Sequence, residues 1–392
     1  MQTDSRAAHP QTVVIADDLS GAGECASEFT LRGGSTCLQL VPGPATGLSL
    51  PGPGVLVWDL DTRDTAPVLH PAVTASIGAS RRIYLKIDSL LRGNWPLLVA
   101  AVVRAAQHPA LMCPALPRLQ RGLHEGRIDI PPGHRLTHYT ASAVEGLRQA
   151  GLQAGHHRLD TTDEGAMREG LRAALARDAV TVVDARTDAE LDAMARVLES
   201  LPTPYTAIGS AGLAGALARQ RGIPAAACTL GAPDRMAVLV GSLTGPARQQ
   251  LSQLAQASGE AVRWWHPGQG LQAGGEAGHK PAPRLRLYAT RCEGQPAPAG
   301  RELARHFARD VAPHLEDADC IVATGGETAR ALCDVLGMEH LQVLGQLEPG
   351  ISLARLPGPR RPRYLAIKSG SFGDPDTLVR LARSGGLLPA IP

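Results

Sequence analysis

Aromatic residues are scarce, at 3% of the chain, so any hydrophobic core must rest on Ala, Leu and Val. Zinc-type cysteine pairs are lacking too. The seven cysteines, Cys25, Cys37, Cys113, Cys228, Cys292, Cys320 and Cys333, are scattered and contain no C-x-x-C. That spacing argues against a metal ribbon or a disulfide framework and fits reduced, buried thiols of a cytoplasmic protein. No run reaches the roughly 18 apolar residues of a membrane span, and the polar start MQTDSRAAHPQT lacks the apolar stretch of a secretory signal. No block of like charge occurs and the formal net charge is +2, so nothing offers a stripe to nucleic acid. Arg360–Arg361 reads as solvated loop.

Several standard motifs are missing or incomplete. There is no G-x-x-x-x-G-K-[ST]; Gly278-His279-Lys280 only resembles its end, which removes the P-loop class. Gly268-Gln269-Gly270-Leu271-Gln272-Ala273 fits G-x-G-x-x-A formally but lacks strand–turn–helix context. The run from Gly209 to Gly215 has the wrong spacing for a dinucleotide fingerprint. His134 and His138 sit in a Pro/Gly loop, and His156–His157 reads as surface, so neither pair is read as a metal site.

What is present is a large apolar fraction, 44% of 392 residues, enough for two ordinary cores. Short apolar runs alternate with helical stretches. Strands are expected at Thr12–Ala16, Thr36–Leu40, Val55–Trp58, Arg82–Lys86 and Val180–Asp184, and a strand, glycine turn and helix within Tyr205–Ala218. Helices are expected from the Ser-Gly-Ala-Gly turn to about Leu31, and over 67–80, 96–106, 141–150, 163–177 and 188–200. Residues 118–138 read as loop and 222–231 as a linker. A second alternation follows, with strands at Arg235–Val240, Leu285–Ala289, Cys320–Thr324, Gln342–Leu344 and Tyr364–Ile367. Its helices are expected near 246–257, 299–314, 326–336 and 375–385, with 266–282 as loop. The fold class is therefore α/β: two domains, each a mainly parallel sheet flanked by helices, with the active site in the cleft between them. The expected divisions are a polar tail over 1–11, an N-terminal domain over 12–230 and a C-terminal domain over 231–392.

Ligands of open α/β sheets bind beyond the carboxyl ends of the strands, and five stretches put chemistry there. VVIADDLSGAGE joins Asp17 and Asp18 to a small-residue turn and a helix N-terminus that can face an anion, although one Asp as a helix cap explains it equally. YLKIDSLLRGN gathers Lys86, Asp88, Ser89 and Arg92, suited to an acidic, hydroxylated ligand; a surface ion cluster is the plain alternative. Arg63 follows another strand and offers a third cation. VGSLTG, VATGGETA and IKSGSFGD each set glycines and hydroxyls after a strand, where exposed N–H groups can cradle phosphates.

In order, ADDLSGAGE, KIDSLLRGN, the Gly-Ser-Ala-Gly-Leu turn at 209–213, VGSLTG, TGGETA, LGQLEPGIS and IKSGSFGDPD resemble the four-carbon acid sugar kinases, enzymes that phosphorylate tetronates. The resemblance runs from residue 13 to 378. It implies an N-terminal domain that holds the acid through Asp18, Arg63, Lys86, Ile87, Asp88 and Ser89. It also implies a C-terminal domain that holds ATP through Ser242, Thr324, Gly325, Gly326, Glu327 and Gly370. Departures are visible on the acid side: Gln120 stands where the family pattern has Gly, Leu90 and Ser20 stand where it has Thr, and Pro117, Arg121 and Gly126 keep their spacing.

These residues set a mechanism to be tested: Arg63 and Lys86 on the acid's carboxylate, Asp18 or Asp88 as base, and Mg²⁺ on the phosphates, its protein ligands unidentified and Glu327 and Asp374 the available candidates. The expected partners are a small sugar acid and ATP, with no nucleic acid or membrane. Homo-oligomers are common among such enzymes, but no stretch marks an interface. The rival readings are a kinase of another small hydroxy acid, a silent sugar-acid or nucleotide sensor, and a dinucleotide oxidoreductase.

Overall fold

The computed structural model describes residues 12–40, 54–130, 142–159, 163–272, 283–292, 300–357 and 363–389. The polar tail, His134, His138, Gly278-His279-Lys280 and Arg360–Arg361 lie outside them. The chain divides into two compact units, Met1–Ala226 and Ala227–Pro392, a few residues before the boundary expected at 230.

In the first unit the strands are β1 (Thr12–Ala16), β2 (Thr36–Gln39), β3 (Val55–Asp59), β4 (Arg82–Lys86), β5 (Ala110–Cys113), β6 (Gly122–His124), β7 (Arg127–Asp129), β8 (Ala154–His157), β9 (Val180–Val183) and β10 (Tyr205–Gly209). The helices are α1 (Leu19–Thr30), α2 (Pro71–Ala79), α3 (Trp95–Ala106), α4 (Ala143–Gln149), α5 (Glu164–Arg177), α6 (Asp188–Glu199) and α7 (Ala211–Arg219). Eight strands form a parallel sheet in the order β2-β3-β1-β4-β10-β5-β9-β8, and β6 and β7 pair as a separate hairpin. The central strand TVVIA is buried along its whole length, because helices cover both faces of a parallel sheet and no solvated face calls for alternation. Val13 and Ile15 share a core with α2, α3 and α4. α1 and α7 pack together on the other face, the one to which Tyr84 and Lys86 project.

The strand order fixes where a ligand binds. From β1 the chain runs outward to β2, returns as β3, then crosses β1 to form β4. The reversal makes the carboxyl ends of β1, β3 and β4 the switch point of the sheet. Those ends are level, with Ala16 opposite both Asp59 and Lys86.

The second unit holds β11 (Met236–Val240), β12 (Val262–His266), β13 (Gly270–Leu271), β14 (Leu285–Thr290), β15 (Cys320–Thr324), β16 (His340–Glu348), β17 (Ile351–Leu356) and β18 (Arg363–Lys368). Its helices are α8 (Gly245–Ser258), α9 (Gly300–Val311), α10 (Gly326–Val335) and α11 (Thr377–Ser384). The order is β13-β12-β14-β11-β15-β18-β17-β16. β12, β14, β11, β15 and β18 are parallel, while β13 at one edge and β17 and β16 at the other are antiparallel. The chain reverses at β11, so its carboxyl end and that of β15 form a second switch point, with Val240, Thr324 and Lys368 on one rung.

Candidate functional site

At the first switch point β1 delivers Asp17 and Asp18. Asp18 N-caps α1, its Oδ1 accepting from the Gly21 backbone N–H at 3.0 Å, a bond that typically stabilises a helix by about 1 kcal/mol. Its Oδ2 accepts from the Ser20 hydroxyl. The small residues of this turn have a steric reason. A Cβ on Gly21 would fall 2.5 Å from Lys86 Nζ and 2.7 Å from Asp18 Oδ1, so only glycine lets α1 settle on the lysine beneath it.

The loop after β3 is clipped to β1 by the Thr62 and Arg63 amides, which donate to the Asp17 carbonyl at 3.0 and 3.2 Å. Arg63 then forks onto Asp17, Nε to Oδ2 at 2.9 Å and Nη2 to Oδ1 at 3.0 Å, and Nη2 also donates to Asp18 Oδ1 at 2.7 Å. Its Nη1 lies 3.9 Å from Asp88 Oδ2. Arg63 was expected to grip a ligand carboxylate. In the structure two of its three nitrogens are spent ordering the aspartates, and Nη1 alone remains turned toward Asp88.

After β4, Asp88 folds the chain over itself: Oδ1 accepts from the Leu90 N–H at 2.9 Å and from Arg92 Nε at 2.9 Å, and Oδ2 accepts from Arg92 Nη2 at 2.5 Å. Leu91 takes φ 57° and Gly93 φ 77°, and a Cβ on Gly93 would stand 2.2 Å from the Arg63 carbonyl. The β4 loop and the β3 loop are thereby pressed together. Ser89 Oγ accepts from Arg121 Nη1 at 2.7 Å. Ile87 behaves otherwise than a side-chain contact would require. Its side chain lies in the core and its N–H donates to the Gly209 carbonyl at 2.9 Å, so only its carbonyl can reach a ligand.

Arg121 is a member of this cluster that sequence reasoning noted only for its spacing. It is buried, and the charge of Asp88 bears on it. The strand before it, β5, is not marked in the sequence, so only the Pro117–Arg121–Gly126 spacing could have pointed to it. Arg63, Lys86, Arg92 and Arg121 thus gather around Asp17, Asp18 and Asp88, and the charge of Glu24 bears on Lys86 and Arg121 as well. Beside them Arg118, in the turn after β5, bonds Glu24 of α1 and stands 3.6 Å from Glu28.

The proton affinities divide the carboxylates. Burial raises the pKa of Asp17 despite Arg63. For Asp18 burial is outweighed by Arg63 and Lys86, which lower it. For Asp88 burial is overcome by the hydrogen bonds and charge of Arg92, with Arg63 and Lys86 adding, and its carboxyl sits well below the usual range. Burial disfavours the Lys86 ammonium, yet Asp17 and Asp18 hold its pKa above the ordinary value.

At the second switch point three turns meet. A Cβ on Gly370 would lie 2.6 Å from Ser242 Oγ and 3.8 Å from Gly325 Cα, and one on Gly241 would lie 2.1 Å from Thr328 Oγ1. Thr244 Oγ1 donates to the Gly370 carbonyl at 3.0 Å and pairs with Ser242 Oγ at 3.0 Å. The Gly325 amide, at φ 104°, donates to the Lys368 carbonyl at 2.7 Å. Neither α8 nor α10 has a side-chain cap, so their first-turn N–H groups are free of one and face the turns. Ser242, Thr324, Gly325, Gly326 and Gly370 are therefore gathered. Glu327 leans elsewhere, its Oε2 within 2.6 Å of where a Cβ on Gly300 would stand, at the start of α9. Asp374 accepts from Arg380 Nη1 at 2.8 Å and from the Asp376 N–H at 2.9 Å. Among the described residues no cluster of three or more His, Cys, Asp or Glu could hold a metal. No helix among the described residues is long and apolar enough to cross a membrane.

The chain resembles known proteins over both units. Residues 12–217 match the model of a sugar-binding N-terminal domain, and 282–378 that of a nucleotide-binding C-terminal domain. A D-threonate kinase of Cupriavidus necator is 34% identical over 92% of this chain and 94% of that protein. A D-threonate kinase of Bordetella bronchiseptica is 30% identical over 96% and 97%, and a 3-oxo-tetronate kinase of Cupriavidus necator 29% identical over 98% and 100%. A Haemophilus influenzae protein of known structure shares the fold, with a TM-score of 0.67 at 18% identity over 95% of this chain and all of that one. A sugar-binding unit joined to a nucleotide-binding unit defines an ATP-using sugar kinase. The chain belongs to the four-carbon acid sugar kinase family.

Proposed function

We propose that the enzyme transfers the terminal phosphate of ATP to a hydroxyl of a tetronate, with D-threonate as the first substrate to try. The observation that carries this reading is the cluster of arginines, lysine and aspartates at the β1/β3/β4 switch point, where Arg63, Lys86 and Arg92 meet Asp17, Asp18 and Asp88 inside the unit that matches a sugar-binding domain. The guanidinium groups would meet the acid's carboxylate, and second lone pairs of the aspartate oxygens would accept from its hydroxyls. Threonate leads because the two relatives at 30% identity or more named above are D-threonate kinases.

Asp18 is the carboxylate proposed to orient the attacking hydroxyl and take its proton. Its side chain is 14% exposed, against 3% for Asp17 and 6% for Asp88. Asp88 is clamped at both oxygens by the one guanidinium of Arg92, an anchor's geometry, whereas among the described residues Asp18 Oδ2 accepts only from the Ser20 hydroxyl. A low proton affinity at Asp18 is tolerable, because a loose phosphoryl-transfer transition state leaves the hydroxyl proton largely in place until the new bond forms. Lys86, beneath α1, favours the ionised form of both Asp17 and Asp18. In the second unit the turns at 241–244, 324–327 and 369–373 would take the phosphates on backbone N–H groups and the Ser242 hydroxyl. Mg²⁺ arrives as part of the nucleotide substrate, held by its phosphate oxygens and water.

The test is ADP release with MgATP over a panel of threonates, erythronates, oxo-tetronates and other small hydroxy acids. Threonate-dependent ADP with a phosphorylated product is expected. If ATP binds and no acid stimulates turnover, the assignment fails.

A further inference from the structure

Of the 39 basic residues only three are lysines, Lys86, Lys280 and Lys368. Arginine serves almost everywhere else. The two lysines among the described residues are both buried, and each is the last residue of a strand at a switch point. Lys86 has Asp17 and Asp18 beside it. Lys368 has no such partner. It is fully buried, its Nζ donates to the Ser369 carbonyl at 2.9 Å, and among the described residues no carboxylate pairs with it.

The surroundings are apolar. Lys368 stands opposite Thr324 on β15 and Ile351 on β17, on the face where Val240, Val322 and Ala366 pack against α8 and α11. The Thr324 hydroxyl on the same rung is buried and has no hydrogen-bond partner among the described residues. A lone ammonium in such a place costs several kcal/mol relative to water, and burial pushes its pKa down to about 8. Packing gives no reason for the charge, since methionine fills the same space without it.

Its position gives one. The Lys368 carbonyl holds the Gly325 amide, and its ammonium bonds the first carbonyl of the turn that carries Gly370. The charge therefore sits at the root of the three converging turns, on the face where α8 begins. We propose that Lys368 supplies the positive charge against which the ATP phosphates bind, which rests on the nucleotide assignment of this unit. A compact ammonium serves where a guanidinium, larger and always charged, would not fit the apolar rung.

The experiment is calorimetric titration of MgATP and of adenosine into the full-length wild type and Lys368→Met, with thermal melting of both. The variant is expected to bind ATP at least 30-fold more weakly, to bind adenosine within threefold of wild type, and to melt no lower. ATP affinity within threefold of wild type overturns the proposal. A variant that shows no cooperative melt overturns it too, because the ammonium would then be needed for the fold. Failure of wild type itself to bind ATP would instead remove the nucleotide assignment, a separate outcome.

Discussion

Asp18 starts α1 and is also the proposed proton acceptor, and a single substitution separates the two roles. Asparagine caps helices as well as aspartate does, so Asp18→Asn should keep α1 while removing the proposed acceptor and one carboxylate partner of Arg63 and Lys86. Turnover is expected to fall about 10²- to 10⁴-fold with a cooperative melt retained at a somewhat lower temperature; steady-state kinetics showing kcat within threefold of wild type would exclude Asp18 as the base. Gln120 is a residue-scale case of a different kind. It stands where the resembling family has glycine, and the structure gives it φ 54° at the end of the turn Pro117–Leu119. A left-handed conformation there favours glycine by roughly 1 kcal/mol or a little more. Gln120→Gly is therefore expected to raise stability by about 1 kcal/mol, read from the denaturant midpoint at constant slope. A lower midpoint would mean that the glutamine side chain holds the turn more than its backbone strains it.

The elements that carry the chemistry were legible because their signal is local. A buried strand reads as an apolar run, and the glycines, hydroxyls and charges that follow it mark its carboxyl end. Both switch points were thus marked by ADDLSGAGE, KIDSLLRGN, VGSLTG, TGGETA and IKSGSFGD before any packing was known. What was not legible depends on partners distant in sequence. β5 is four residues, ALMC, flanked by prolines, and only pairing with β10 and β9 makes it a strand. β6 and β7 are three residues each, in a stretch whose Gly, Arg and His content reads as loop. The hairpin β16–β17 carried a usable signal that went unread: Pro349-Gly350 has proline then glycine at the centre of a turn, and Gly350 takes φ 82°. That hairpin buttresses the nucleotide turns, for the Ser369 amide donates to the Gly350 carbonyl at 3.0 Å and a Cβ on Gly350 would meet Phe372 at 2.3 Å. Arg63 shows the limit at the site itself, because no spacing reveals that its fork is spent on Asp17. The close approach of the turns leads to a prediction at this scale. Gly370→Ala sets a Cβ 2.6 Å from Ser242 Oγ and 3.1 Å from its Cβ, which turns the Ser242 hydroxyl aside from the proposed phosphate site; the KM for ATP should rise about tenfold, on the order of 1.4 kcal/mol, with the KM for the acid unchanged. An equal rise in both would show that the substitution disturbs the chain broadly rather than this site.

At the scale of the whole molecule, buried titratable groups set how stability changes above neutral pH, and they pull in opposite directions. Burial pushes the thiols of Cys25, Cys37, Cys113 and Cys320 up. The unfolded chain therefore releases those protons first, and stability falls as pH rises past the ordinary thiol value. Lys368 acts the other way. Its folded pKa is lowered from 10.5 to about 8, so between these values the unfolded chain binds the proton that the folded chain has lost, and stability rises with pH. The full span of that shift corresponds to about 3 kcal/mol. Lys86, whose pKa is raised, contributes its stabilisation in full below 10.5 and loses it only above, so it adds no slope in this window. The thiols are common to wild type and Lys368→Met, so the difference between their melting curves isolates the lysine. Without nucleotide, Lys368→Met should exceed wild type in stability at pH 7 by an amount that shrinks steadily toward pH 10. A difference that stays constant across that range would mean that Lys368 keeps its proton throughout, held by a partner charge rather than left alone on its rung.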